Sequence, residues 1–199
     1  MPELPDVSIY VEHLARRLAG EALRRVRLRS PFVLRSVAPP LQQAEGRTVV
    51  SARRMGKRIV LALEGDLYLV IHLMVAGRLR WKPGAAPAPI PGKVGLAAFD
   101  FGGGTLLLVE ASPKKRAWVR LVWGIESLAG LDPGGLEVLE ADLSSFQTAL
   151  TMESHTLKRA LTDPRLFSGI GNAYSDEILH RARLSPVALT RKLTAGEIA

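Results

Sequence analysis

The sequence contains no cysteine. That absence excludes a disulfide scaffold, a thiolate metal site, a cysteine nucleophile and thiol redox chemistry. Histidine is scarce, with four in the chain, and His13, His155 and His180 show no metal-ligand spacing, so no metal is expected. Long apolar runs are missing too. The longest apolar region, 59–76, is interrupted by Glu64-Gly65-Asp66, whereas a membrane span needs about 20 uninterrupted residues, so the pattern is that of a hairpin. The start, Met1-Pro2-Glu3-Leu4-Pro5-Asp6, lacks the basic stretch and apolar core of a secretory signal. Together these absences lead to the expectation of a soluble, cytoplasmic protein without a membrane partner.

Positive charge is abundant and lopsided. Of 199 residues, 27 are Lys or Arg and 19 are Asp or Glu, a formal net charge of +8. Residues 1–100 hold 16 basic and 8 acidic side chains, whereas residues 101–199 hold 11 of each, so the whole excess lies in the first half. A basic surface attracts polyanions, with nucleic acid the leading partner class and acidic lipid second; a merely solubilising surface is the plain alternative. With 47% apolar residues the chain can bury one large core or two small ones.

Val7, Val11, Leu14 and Leu18 recur at helical spacing, predicting an amphipathic helix that begins after Pro5-Asp6 and ends at Gly20. Short Val/Leu/Ile-rich runs follow at 23–28, 49–53, 58–63, 67–72, 77–81, 96–101, 105–109 and 118–122, separated by turn signals. Eight such strands predict a β-sandwich or barrel. Residues 82–92, rich in Pro, Ala and Gly, read as a surface loop. The Gly-rich, acidic segment after Gly124 reads as a linker, after which the pattern turns helical at 144–150, 154–161 and 173–182. The expectation is an α+β chain: an N-terminal domain over 1–124, a linker over 125–142 and a helical region over 143–199.

Several residues stand out. Lys57, between Gly56 and Arg58 at a strand entrance, could meet a phosphate as a point charge or simply be solvated. His72 ends an apolar strand, where a core histidine and a phosphate contact are both open. Gly169-Ile170-Gly171-Asn172 opens a helix whose N–H groups could bind phosphate, while Asn172 could equally be a plain N-cap. It is not a dinucleotide fingerprint, having neither a preceding strand nor a third glycine.

Four segments in order carry a family resemblance: Met1-Pro2-Glu3-Leu4-Pro5-Asp6-Val7, Gly56-Lys57-Arg58, His72-Leu73, and the run from Gly169 through Asn172-Ala173-Tyr174-Ser175-Asp176 to Glu177. Together they resemble the formamidopyrimidine-DNA glycosylase and endonuclease VIII (Fpg/Nei) family over nearly all 199 residues. The resemblance implies an N-terminal antiparallel β-sandwich with an N-terminal helix, then a helical domain with a helix-two-turn-helix motif. It implies a monomer that binds damaged double-stranded DNA, excises an oxidised base and cleaves the abasic strand. Once Met1 is removed, Pro2 presents a secondary amine that is partly unprotonated at neutral pH. Attack on the sugar C1′ gives an iminium, an electron sink for eliminating the flanking phosphates. In this scheme Glu3 protonates the ring oxygen, Lys57 assists catalysis, and His72 and Asn172 contact phosphates. Asp6 and Glu177 position the N-terminus. The alternative is a relative that binds damaged DNA without cleaving it.

Departures from the family accompany the matches. Asp6 stands where the family has Glu. The family fills the gap left by the flipped nucleotide with a Met after His-Leu-Gly and with an Arg and a Phe in a later loop. Here His72-Leu73-Met74-Val75 places Met one position early, and the loop holding Lys114, Lys115 and Arg116 lacks the Phe; these three or Trp118 could substitute on DNA. The family's four-cysteine zinc finger has no counterpart, so no cofactor is expected and the chain reads as truncated or as lacking that module.

Overall fold

The computed structural model describes residues 1–198 and divides into two compact units, 1–131 and 132–199. The first begins with helix α1 (Leu4–Leu18), three residues ahead of the expected start. Glu3 is its N-cap and forms a capping box with Asp6, and Pro5 sits in the first turn, where no N–H is required. The predicted apolar stripe holds: Val7, Leu14 and Leu18 are buried, each burial worth about 1.5–3 kcal/mol.

Eight strands follow among the described residues: β1 (Arg25–Leu28), β2 (Val49–Met55), β3 (Arg58–Leu63), β4 (Leu67–His72), β5 (Gly77–Pro83), β6 (Gly95–Asp100), β7 (Gly104–Glu110) and β8 (Trp118–Trp123). They form two antiparallel four-stranded sheets, ordered β1-β6-β7-β5 and β2-β3-β4-β8. One cluster, with Leu18, Ile59, Leu61, Leu69, Ile71, Phe99, Leu108 and Leu121, fills the space between the sheets and α1. The sandwich is as the sequence leads one to expect.

Two expectations need correction. The 82–92 segment lies at the surface for most of its length, but it starts inside β5, which runs to Pro83, and its Ile90 turns inward to help bury β6 and β7 on both faces. Ile90 and the adjoining Val94 pack over Ala98, Leu107 and Val109. The loop is pinned by Arg27, which donates to the Ala88 carbonyl at 2.6 Å and bidentately to Asp100 at 2.8 Å, and by Thr105, whose hydroxyl accepts from the Ala88 N–H at 3.0 Å. The 125–142 segment is likewise more than a linker. It contains helix α2 (Ile125–Ala129), whose Leu128 packs on Val60, Val70 and Val122, and the division between units falls inside it.

The second unit holds α3 (Leu143–Thr151), α4 (Leu157–Thr162), α5 (Asn172–Ala182) and α6 (Ala195–Ile198) around Leu150, Leu161, Phe167, Ile170 and Leu179. Helix α4 begins at Leu157 rather than 154, since Thr156 is its N-cap. The pair α4 and α5, joined by the turn through Gly169, forms the helix-two-turn-helix element. Among the described residues no helix is long and apolar enough to cross a membrane.

Candidate active site

Pro2 is buried and Glu3 is 2% exposed, so the N-terminus is anchored rather than frayed. The anchoring is local: the Glu3 N–H donates to Asp6 Oδ2 at 3.0 Å. Asp6, one methylene shorter than a Glu, reaches that amide.

Lys57 arrives from a distant segment. It occupies the tip of the tight β2–β3 hairpin, where Met55 pairs with Arg58 and Gly56 takes φ +58°, the left-handed conformation that a primed two-residue turn requires. Burial lowers the Lys57 pKa from its ordinary value, and the Glu3 carboxylate works in the opposite direction, which places these two groups within electrostatic reach.

His72 belongs to a row running across the second sheet: Arg58 of β3 pairs with His72, and His72 pairs with Trp118 of β8. The imidazole stacks on the Trp118 ring at 5.3 Å and 16°. The Arg58 and Arg120 guanidinium groups lie 5.8 and 6.0 Å from the same indole. Burial, reinforced by the positive charges of Arg58 and Lys57, pulls the His72 pKa down to about 4. The ring is therefore neutral at physiological pH. Its Nδ1 accepts the Met74 N–H at 2.9 Å, so Nε2 carries the proton and is the donor. His72 is a polarised donor, neither a cation nor an inert core residue.

The turn after β4 explains the displaced methionine. Met74 has φ +52° and is half-buried, in the backbone conformation that favours glycine, while the next residue, Val75, is 54% exposed. The apolar tip of this turn is Val75. Trp118 is held in its stack and does not project from the loop before it.

That loop is organised by Glu110, 1% exposed, whose carboxylate accepts the Arg116 N–H at 2.8 Å and the Ala117 N–H at 3.0 Å. Lys114, Lys115 and Arg116 are exposed, with the Lys115 ammonium donating to the Glu110 carbonyl. Glu110 was missed by sequence reasoning, as were Arg58 and Arg120. A Glu ending a run of apolar residues, Thr105 to Val109, was the available signal for Glu110.

In the second unit Asn172 is exposed and is the first residue of α5, Gly171 being the N-cap. Its amide is not a cap and faces solvent, while its carbonyl accepts from Lys158 and Ser175. Lys158 also pairs with Asp176, tying α4 to α5. Glu177 lies on the exposed side of α5. The structure thus brings Pro2, Glu3, Asp6, Lys57 and His72 into one unit, and Asn172 and Glu177 into the other.

Among the described residues no group of three or more His, Asp or Glu could hold a metal.

In chain order, a β-sandwich with a buried acid heading its first helix is followed by a helical unit. Residues 1–117 match the formamidopyrimidine-DNA glycosylase N-terminal domain, and residues 130–199 match the formamidopyrimidine-DNA glycosylase H2TH domain. The formamidopyrimidine-DNA glycosylase of Moorella thermoacetica is 33% identical over 204 residues, covering 100% of this chain and 73% of the relative. That of Thermus thermophilus is 35% identical over 205 residues, covering 99% and 70%. Among solved structures, Lactococcus lactis Fpg in complex with DNA containing an abasic site superposes with a TM-score of 0.86 at 25% identity, covering 98% of this chain and 72% of that one. The chain belongs to the formamidopyrimidine-DNA glycosylase family.

Proposed function

We propose that this protein is a base-excision DNA glycosylase with abasic-site lyase activity, acting on oxidised bases in duplex DNA through Pro2. The observation that carries the reading is the buried Pro2-Glu3 head of α1 facing Lys57. Removal of Met1 turns the Pro2 nitrogen from an amide into a secondary amine. Its lone pair forms a bond to C1′, and the glycosidic bond breaks with its electron pair going to the departing base, which takes up a proton. Glu3 protonates the ring oxygen as the ring opens to the iminium, then moves the proton removed from C2′ as the 3′ phosphate and afterwards the 5′ phosphate leave. Water hydrolyses the final adduct. Protein groups supply every step and no cofactor is proposed.

Lys57 offers its ammonium to the phosphate beside the lesion, and His72 donates Nε2–H to another phosphate oxygen. Asn172, at the start of α5, contacts the DNA backbone from the second unit. Lys114, Lys115 and Arg116 hold flanking phosphates, and Val75 enters the gap left by the flipped nucleotide, where unstacking costs a few kcal/mol. The protein works as a cytoplasmic monomer associated with the chromosome and needs no membrane.

Borohydride trapping on duplex DNA bearing an abasic site or an oxidised base tests this. Protein whose intact mass confirms loss of Met1 should give a covalent adduct that Pro2→Gly abolishes. Tight DNA binding without any adduct would instead support the non-cleaving alternative.

A further inference from the structure

Strand β5 is an edge strand: β7 pairs with it on one side, and among the described residues no strand pairs on the other. Its two faces differ. Arg78, Arg80 and Lys82 point outward in alternation, while Leu79 and Trp81 turn inward. Lys and Arg on an edge commonly serve to discourage edge-to-edge aggregation. That role does not account for what lies on the inward side.

There, between β5 and α1, runs an apolar groove of about 230 Å³ lined by Ile9, Tyr10, Leu79, Trp81 and Leu106. Ile9 is 57% exposed at its rim. The Arg17 guanidinium sits 5.0 Å over the Trp81 ring and brings a further positive charge to the groove. None of the ion pairs among the described residues involves Arg17, Arg78, Arg80 or Lys82; Arg78 donates to the neighbouring Gly77 carbonyl at 2.7 Å. The groove does not include the Pro2 site: its lining on α1 begins at Ile9, about 9 Å along the helix from Glu3, and contains none of Pro2, Glu3, Asp6, Lys57 or His72.

A free edge, an apolar groove on one face and a basic row on the other are what an added strand would read with alternate side chains. We infer that this edge is a docking site for a partner protein segment in extended conformation, with apolar side chains alternating with acidic ones. The backbone pairs with β5, every second side chain enters the groove beside Leu79 and Trp81, and the intervening carboxylates meet Arg78, Arg80 and Lys82. Nucleic acid would satisfy the basic row and leave the groove unused, so the peptide is the better occupant.

The test is fluorescence anisotropy of the whole protein with a labelled octapeptide, Glu-Leu-Asp-Ile-Glu-Phe-Asp-Leu, against a same-composition control with its acidic and apolar residues in two blocks. Saturable binding of the alternating peptide, at least tenfold weaker for the control and for each of Arg80→Glu and Ile9→Asp, is expected, with DNA affinity unchanged. Arg78→Glu and Ile9→Asn serve if either variant melts early. Absence of saturable binding, equal binding of the control, or indifference to the substitutions overturns the inference. So does a loss of duplex-DNA affinity in Arg80→Glu, which would assign the surface to nucleic acid.

Discussion

His72 and Trp118 sit opposite each other across β4 and β8, and their rings stack at 5.3 Å with a 16° interplanar angle. Burial, reinforced by the positive charges of Arg58 and Lys57, keeps His72 neutral down to a pH of about 4.

Burial of His72 makes stability fall on acidification. Above about pH 6.5 the imidazole is neutral in both folded and unfolded chains. Between that value and about 4 the unfolded chain takes up a proton that the folded chain refuses, so stability drops as pH falls through this window, by up to ~3 kcal/mol in all. Denaturant melts at pH 7 and pH 4.5 should show a smaller difference for His72→Asn, which keeps an acceptor for the Met74 N–H without titrating. Parallel curves for the two proteins would refute the assignment.

Asp6 holds the amide of Glu3, so its removal should act on both fold and chemistry. Asp6→Ala is expected to cost about 1 kcal/mol of stability, in the range of a lost cap, and to reduce adduct formation in borohydride trapping far more than DNA affinity. Asp6→Glu should retain both. Equal trapping by wild type and Asp6→Ala would show that the cap has no part in setting the acid.

Glu110 fastens the basic loop before β8. Glu110→Ala leaves the Arg116 and Ala117 N–H groups without their acceptor and should destabilise by about 2 kcal/mol. Hydrogen exchange should rise across residues 111–117, and dissociation from DNA should quicken. Unchanged exchange in that segment would mean that the loop is held by something else.

Lys114 is exposed in that loop, and its proposed phosphate contact has a signature. Lys114→Ala should flatten the plot of log affinity against log salt by about one unit of slope, with similar losses for damaged and undamaged duplexes. A change confined to damaged DNA would move Lys114 from the backbone to the lesion.

The sandwich was legible because each strand is a short apolar run bounded by turn residues, and α1 because Val7, Leu14 and Leu18 keep helical period. Resemblance rather than periodicity singled out Pro2 and Glu3. Other features depend on pairings the chain does not announce. Nothing local relates His72 to Trp118, 46 positions away, until the strand order is known. The cover that Ile90 lays over Ala98 and Leu107 was not legible, because its anchor is a partly buried Arg27–Asp100 pair formed between two strands. For Asn172 the sequence left both a cap and a phosphate contact open; Gly171 takes the cap position and the Asn172 side chain is exposed.

Burial of Pro2 beneath an exposed Met1, which is 43% accessible, bears on how the protein can be handled. An affinity tag fused ahead of Met1 would emerge into solvent and leave the sandwich undisturbed. Under the proposed chemistry the same fusion locks the Pro2 nitrogen in a peptide bond. Such a fusion would fold, grip DNA and never cut it, a ready-made inert probe for lesions, whereas active material calls for its handle at the opposite terminus.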